Sequence, residues 1–198
     1  MVALSREEFD SIEFDAAATG DHAAAARQMT TLAATAAETA GMPRAEAFLR
    51  AGEQWLLADD PAEAISGFQR AMADGGPVFV DPRVPLARAL FQLGQQDEAQ
   101  AIIGRLKDEG PTDPRTCDMV AELLVERDEL QAALDWATTG VQLCLSQPTG
   151  PADEAGRPAA RPRTRGASEL PLLLSLRYRI RNDLGLPEDE YDKLLDEA

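Results

Sequence analysis

The chain has 198 residues, of which 44% are hydrophobic and only 5% aromatic, and its formal net charge is −16 at pH 7. This acidity disfavours bulk binding to nucleic acid or to an anionic membrane, because both require a basic face. With so few aromatic residues, the core must be built from Ala, Leu, Val and Ile, which favours close-packed helices over a sheet.

The N-terminal sequence MVALSREEFD contains Glu7 and Glu8 and lacks the basic and apolar parts of a secretory signal. The longest apolar stretch, residues 170–176, is too short to span a bilayer. Cys117 and Cys144 match no metal or redox spacing, which favours a reducing interior. We therefore expect a cytoplasmic protein without a membrane segment. Its high Arg and Ala and low Lys content is typical of a bacterium with a GC-rich genome.

Helical periodicity and turn residues divide the chain into antiparallel helices. Asp60, Asp81 and Asp113 each precede a proline, so each places a capping carboxylate before a residue suited to the first helical position. Residues 78–80 are the only stretch with strand character, and without a pairing partner they are interpreted as a loop. The predicted helices cover residues 6–18, 22–40, 44–58, 61–73, 82–93, 96–107, 114–126 and 129–145.

The helix pairs repeat with nearly constant spacing. Ala64, Ala99 and Ala133 lie early in the second helix of successive pairs, 35 (99 − 64) and 34 (133 − 99) residues apart. Ala25 precedes Ala64 by 39 residues (64 − 25). Closely packed helices need small residues where their backbones approach, which predicts a contact of Gly52 with Ala64. Because one pair alone leaves its outer faces exposed, a neighbouring pair is needed to cover them.

A two-helix repeat of about 34 residues is the period of the tetratricopeptide class, and the chain resembles that family in residue type as well. The best matches are Phe48, Gly52, Trp55, Ala64, Phe68 and Ala71 in the second pair, and Leu86, Ala87, Leu90, Gly94, Ala99, Ile103 and Leu106 in the third. The resemblance covers about residues 6–145. It implies an all-α, right-handed α-solenoid of antiparallel helix pairs that binds protein or peptide in a concave groove.

A linker or long loop is predicted after the repeats, because residues 148–168 are rich in Pro, Gly and Arg and contain no large apolar residue. Two further helices are expected over about 169–184 and 187–197, as a capping pair packed on the repeats. The predicted organisation is therefore repeats, linker and C-terminal helix pair, at residues 1–147, 148–168 and 169–198.

Residue types that support catalysis or metal binding are sparse. His22 is the only histidine, and one His with two distant Cys cannot complete a tetrahedral zinc site. We interpret His22 as a surface residue and Trp55 and Trp136 as core residues. Cys117 and Cys144 are interpreted as buried, inert thiols. The sequence has no phosphate-binding glycine motif and no EF-hand loop, so we expect no enzyme activity, no cofactor and no metal.

In the tetratricopeptide family the first helix of each pair lines the groove, so the resemblance implies a set of groove positions. They are Glu7 and Asp10, then Glu46, Leu49, Glu53 and Leu56, then Val84, Arg88 and Phe91, and finally Asp118, Glu122 and Val125. Such a groove would be acidic with an apolar middle and would suit a segment with spaced Arg or Lys. Family members that hold a C-terminal carboxylate use Lys and Asn at such positions. Those residues are missing here, which argues against that partner class.

A basic stretch follows the repeats. It consists of Arg157, Arg161, Arg163 and Arg165 in the predicted linker and Arg177, Arg179 and Arg181 in the next helix. Because Glu169 is its only acid, the stretch from 157 to 181 carries a net charge of 7 − 1 = +6. It could be a solvated segment, a partner for the chain's own acids, or a contact for nucleic acid.

Together these features predict a non-catalytic scaffold that binds a protein or peptide segment, with a basic segment favoured. The basic stretch of this chain, or of a second copy, is one candidate occupant of the groove, which would allow self-association. The alternative function is a regulatory module of a transcriptional or nucleic-acid-associated complex that uses the Arg-rich stretch. The alternative interpretation of the groove acids is that they serve only to keep the surface soluble.

Overall fold

The computed structural model describes residues 5–35, 41–146 and 165–196. These residues form nine α-helices, one short 3₁₀ helix over Asp192–Asp196 and no strand, which confirms the predicted all-α fold. The α-helices are α1 (Arg6–Thr19), α2 (His22–Thr35), α3 (Arg44–Leu57), α4 (Pro61–Asp74), α5 (Arg83–Gln92), α6 (Gln96–Glu109), α7 (Pro114–Glu126), α8 (Leu130–Ser146) and α9 (Arg165–Asp183). The predicted extension of the second helix over 36–40 lies outside the described residues.

Two of the three Asp-Pro pairs start helices as expected. The Asp60 carboxylate accepts a hydrogen bond from the Glu63 amide of α4, and the Asp113 carboxylate accepts from two amides in the first turn of α7. Asp81 behaves differently, because its carboxylate accepts from the Arg83 amide at 3.0 Å and also pairs with the Arg83 guanidinium at 2.8 Å. It therefore stabilises the entry into α5 without capping it in the usual way.

The turns inside the pairs repeat with the same spacing as the alanines. Asp59, Gly94 and Asp128 each adopt a left-handed backbone conformation, with φ of 58°, 75° and 61°. They are 35 (94 − 59) and 34 (128 − 94) residues apart. The next residue in each turn donates its amide to a carbonyl five positions earlier, at 2.9 Å in all three turns. The repeat is thus visible in backbone geometry as well as in residue type.

The chain divides into two compact units, Met1–Arg105 and Leu106–Ala198. In the first unit α1 packs on α2, α2 on α3, α3 on α4 and α4 on α5. The side chains of Phe9, Met29 and Phe68 are fully buried there, as is Ala64.

The close approach in the second helix pair differs in detail from the predicted contact of Gly52 with Ala64. A Cβ atom on Gly52 would lie 2.5 Å from the Phe68 ring, and one on Gly67 would lie 3.0 Å from the Gly52 Cα. Gly52 therefore faces Phe68 and Gly67, one turn further along α4 than predicted, while Ala64 is buried nearby.

In the second unit α7, α8 and α9 pack on one another, and the 3₁₀ helix packs on α9. Val141, Leu173 and Leu174 form the centre of this core, with Tyr191 partly buried against it. A Cβ atom on Gly140 would lie 2.8 Å from a methyl group of Leu173 on α9 and 2.9 Å from the Cβ of Cys117 on α7, so a side chain there would press against both helices.

The C-terminal segment differs from its prediction in two respects. α9 begins at Arg165, four residues earlier than expected, and the helix predicted over 187–197 is wrong. The Asp192 carboxylate accepts from the Asp189 amide at 2.9 Å, and the Asp189 carboxylate accepts from the Tyr191 amide at 3.0 Å. Such local side-chain bonds compete with helical hydrogen bonding, so only a short 3₁₀ helix forms.

Gly52→Ala is expected to lower the free energy of unfolding by about 1–3 kcal/mol, because the fully buried Phe68 ring must move to admit a methyl group. The matched control is Gly104→Ala in α6, where no atom lies within 4 Å of the new Cβ. That change is expected to stabilise the protein by about 0.5–1 kcal/mol through helix propensity. Urea unfolding followed by circular dichroism measures both, and equal effects of the two substitutions would contradict the close approach.

Candidate functional site

The predicted groove face of α3 is only partly accessible. Glu46, Leu49, Glu53 and Leu56 follow one another at intervals of three or four residues, which places them on one side of the helix. Leu49 is only 1% exposed and Glu46 only 7% exposed, whereas Glu53 and Leu56 are partly exposed. The reason is that α3 packs against both α2 and α4, so most of its circumference is core.

Glu46 has a structural partner inside the first unit. Its carboxylate accepts a hydrogen bond from the backbone amide of Phe79 at 2.7 Å. Phe79 lies in the loop that joins α4 to α5, so the carboxylate holds that loop against α3. Glu46 therefore serves the fold in this structure.

An unpredicted arginine, Arg50, neutralises part of the acidic surface. Its Nη2 atom lies 2.6 Å from Asp10 and 2.5 Å from Glu13, both on α1, and its Nε donates to Glu13 at 2.8 Å. The guanidinium also sits over the Phe9 ring, 5.7 Å from the centroid. The hydrogen bond to Glu13 is the largest cause that raises the pKa of Arg50 above its ordinary value. Asp10, one of the predicted groove acids, thus already has a cation partner.

Glu53 is an acid without such a partner. Among the described residues its carboxylate forms no hydrogen bond or ion pair. Burial, and then the charges of Glu13 and Glu46, raise its pKa to about 7, against the opposing effect of Arg50. This carboxyl group therefore holds a proton to higher pH than an exposed glutamate does, and a nearby cation would favour its charged form.

The predicted apolar middle of the groove lies in the core. Val84 and Phe91 on α5 are 1% and 7% exposed, while Arg88 on the same helix is partly exposed. These apolar side chains are therefore not accessible to a ligand in this structure.

An exposed phenylalanine that the sequence interpretation did not single out lies on α1. Phe14 is 75% exposed, the highest value among the large hydrophobic residues described. It precedes Glu53 by 39 residues (53 − 14), the same offset as between Ala25 and Ala64. Phe14 therefore occupies in the first pair the repeat position that Glu53 occupies in the second, and this register was the signal that could have revealed it.

The second unit carries its own acidic patch on α7. Asp118 and Val125 are partly exposed, and Glu122 is exposed. Burial, followed by the charges of Glu122 and Glu169, raises the pKa of Asp118 to about 6. Arg115 opposes this effect, but its guanidinium is hydrogen-bonded to Glu169, which is itself only 4% exposed.

Only part of the basic stretch lies within the described residues. Arg157, Arg161 and Arg163 lie outside the described residues, and Arg165 is the first residue of α9.

Further along α9, Arg177 is 4% exposed and contacts Asp189 at 2.5 Å and Asp192 at 3.0 Å. Arg181 pairs with the same two acids. The interpretation that the stretch pairs with the chain's own acids is therefore confirmed for these two arginines.

The histidine, the two cysteines and the two tryptophans lie in environments that favour packing over reactivity. The Nδ1 atom of His22 lies 2.9 Å from Oε1 of Gln54, and the side chain is partly buried, so it is less exposed than expected. Burial raises the pKa of Cys117 to about 12 and that of Cys144 to about 11, which makes both thiols poor nucleophiles. Trp55 and Trp136 are both buried, as predicted.

The described parts of the chain contain no group of three or more His, Cys, Asp or Glu side chains placed to hold a metal ion. None of their helices combines the length and the apolar character needed to span a bilayer.

Glu53→Gln is expected to change how stability depends on pH. The folded pKa of Glu53, about 7, exceeds the ordinary value of 4.5, so the folded state binds the proton more tightly. Wild-type stability should therefore decrease as pH rises from about 4.5 to 7, and the variant should lose that component. At pH 8 the variant should be more stable by about 1–3 kcal/mol. Denaturation curves at several pH values test this, with the exposed Glu190→Gln as control. A wild-type slope in Glu53→Gln would disprove the assignment.

Arg177→Ala is expected to destabilise the second unit by about 3 kcal/mol, because Asp192 is only 8% exposed and loses a cation partner. Arg179→Ala, at an exposed position two residues later on the same helix, should stay within about 0.5 kcal/mol of wild type. Thermal unfolding compares the two variants directly, and a small effect of both would show that the ion pairs are not needed for stability.

Comparison with protein families supports the repeat seen in the fold. The family model described as the tetratricopeptide repeat matches residues 56–123, which run from the end of α3 into α7. The comparisons with curated proteins and with solved structures found no match to this chain.

Proposed function

We propose that this chain, a tetratricopeptide-like helical-repeat protein, is a non-catalytic scaffold that binds basic protein segments through acids on the first helices within each of its two units. The tetratricopeptide repeat suggests a protein-interaction scaffold, and the charges suggest the chemistry of the partner. The observation that carries this proposal is that Glu53, Asp118 and Glu122 form no ion pair within the described residues.

The surroundings of the Glu53 and Asp118 carboxyl groups disfavour their charged forms. Each is partly buried near other carboxylates, and each has a raised pKa. Perturbed groups of this kind cluster at functional sites more often than elsewhere. An Arg or Lys of a partner would relieve the repulsion, so binding and ionisation would favour each other.

The apolar part of recognition is assigned to exposed side chains. Phe14 is the strongest candidate in the first unit, and Leu56 is partly exposed in the same unit. In the second unit, Val125 is partly exposed one turn after Glu122. A partner segment with Arg or Lys residues separated by apolar residues fits these surfaces, and ordering a flexible segment typically limits its affinity to the micromolar range.

A role in a transcriptional or nucleic-acid-associated complex is the second hypothesis. It depends on Arg157, Arg161 and Arg163, which lie outside the described residues. Of the later arginines on α9, Arg177 and Arg181 are engaged by the chain's own acids, and no observation favours a nucleic-acid contact. Occupation of the acidic surface by the chain's own basic stretch also remains a hypothesis.

The proposal is tested by titrating labelled peptides into the full-length protein. The probes are a peptide of alternating Arg and Leu, its acidic counterpart with Glu in place of Arg, and a peptide of residues 155–168. The basic peptide should bind with micromolar affinity, weaken by about tenfold at high salt, and bind more tightly as pH rises from about 6 to 8. The acidic peptide should not bind.

Single substitutions identify the surface that binds the basic peptide. Glu53→Gln, Glu122→Gln and Phe14→Ser should each weaken binding by about threefold to tenfold. Glu190→Gln and Leu172→Ser are the controls, because both residues are exposed and neither belongs to a first helix of a pair. Tighter binding of the acidic peptide, or equal losses in the controls, would refute the proposed polarity. Binding by the peptide of residues 155–168 would support self-occupancy, and its failure to bind would remove that hypothesis alone.

A further inference from the structure

A cleft of about 380 Å³ in the first unit has the opposite character to the acidic surface. It is lined by residues of α2, α3 and α4, among them the exposed arginines Arg27 and Arg70. The buried Trp55 contributes to its wall. Because α2 and α4 are the second helices of their pairs, the cleft does not belong to the first-helix positions considered above.

Both guanidinium groups of the cleft rest on aromatic rings. The Cζ atom of Arg27 lies 5.9 Å from the centroid of Trp55, and that of Arg70 lies 5.8 Å from the centroid of Phe48. The two rings are 9% and 8% exposed, so they are fixed in the core. A guanidinium held over a ring through its face keeps its N–H edges available for paired hydrogen bonds to an oxyanion.

These arginines have no acidic partner within the described parts of the chain, although Asp and Glu outnumber Lys and Arg by 35 to 19. Arg50 and Arg177, by contrast, each contact two carboxylates. Glu63 lines the same cleft but lies beyond ion-pair distance of either arginine. The two positive charges are therefore available to a ligand.

We propose that this cleft binds a phosphate monoester. Two guanidinium groups balance the charge of the dianion, and their planar N–H edges match its tetrahedral oxygens better than a single ammonium would. The hydroxyl groups of Thr30 and Ser66 also line the cleft and can donate to the remaining oxygens. Trp55 offers an apolar contact to the group that carries the phosphate. This site is independent of the acidic first-helix surface and stands if that proposal fails.

The position of Glu63 in the cleft predicts that removing its charge increases the affinity for phosphate. Its carboxylate repels a bound oxyanion, so Glu63→Gln should tighten binding by about twofold to fivefold. A cleft that served only to pack the helices would show no such gain in affinity.

The test uses the full chain labelled with ¹⁵N and follows the indole N–H signals of its two tryptophans. Phenyl phosphate should shift the Trp55 signal in a saturable way with an affinity of about 1 mM, while Trp136, which is in the other unit, serves as internal reference. Arg27→Gln with Arg70→Gln should weaken binding by at least about tenfold. Arg6→Gln with Arg105→Gln removes the same charge at exposed positions outside the cleft and should leave binding unchanged.

The double substitution of Arg27 and Arg70 by Lys retains the charge and provides a second test, should the Gln variant unfold. It should weaken binding to an intermediate degree, because an ammonium group cannot form the paired hydrogen bonds. A phosphoserine peptide that binds more tightly than phenyl phosphate would identify a phosphorylated protein segment as the source of the group. Equal or weaker binding of that peptide would identify a free monoester.

Three outcomes would overturn the proposal. The first is the absence of a Trp55 shift at phosphate ester concentrations well above millimolar. The second is equal weakening by the control substitutions at Arg6 and Arg105. The third is binding of benzoate as tight as that of phenyl phosphate, which would show that the cleft does not select the dianion.

Discussion

The helix pairs depend on small residues at the points where two helix backbones approach. In the second pair, a Cβ atom on Gly67 would lie 3.0 Å from the Gly52 Cα, and the Phe68 ring fills the space beside them. Ala99 and Ala133 are fully buried at the repeat positions equivalent to Ala64. Buried alanine recurs at this repeat position every 34 or 35 residues, and in the second pair the close approach fixes how α4 is rotated against α3. That rotation then determines which side chains of the first helix are directed away from the contact.

Buried arginines connect elements that the apolar core leaves less firmly attached. Arg50 joins α3 to α1 through Asp10 and Glu13, and Arg177 joins α9 to the C-terminal segment through Asp189 and Asp192. The Asp189 pKa falls to about 2, chiefly because Arg177 hydrogen-bonds to it. Among the described residues, Glu53, Asp118 and Glu122 then have no ion pair.

The sequence predicted the helices and their period well because both follow from local patterns. Turn residues and capping carboxylates located most helix ends to within a residue or two. The partners of Arg50 could not be predicted, because they lie 40 and 37 positions away along the chain (50 − 10 and 50 − 13). An arginine within the apolar stretch AFLRAG was the available signal. The burial of Leu49 was also missed, because it depends on α3 having neighbours on two sides.

Some positions of the repeat keep one residue type in all four pairs, whereas others vary. Positions 14, 53, 88 and 122 are equivalent in the four pairs, since they differ by 39, 35 and 34 residues (53 − 14, 88 − 53 and 122 − 88). Phe, Glu, Arg and Glu occupy them, so one site in the repeat accommodates an aromatic ring, an anion and a cation.

Alanine, by contrast, occurs at positions 25, 64, 99 and 133 without exception. A position that helix packing constrains retains its residue type. Positions 14, 53, 88 and 122 vary in residue type, so helix packing does not determine which residue occupies them. Glu53 is therefore not required by the close approach of the helices, and its raised pKa shows that its charge is disfavoured in the folded state. Both features agree with the proposed binding role.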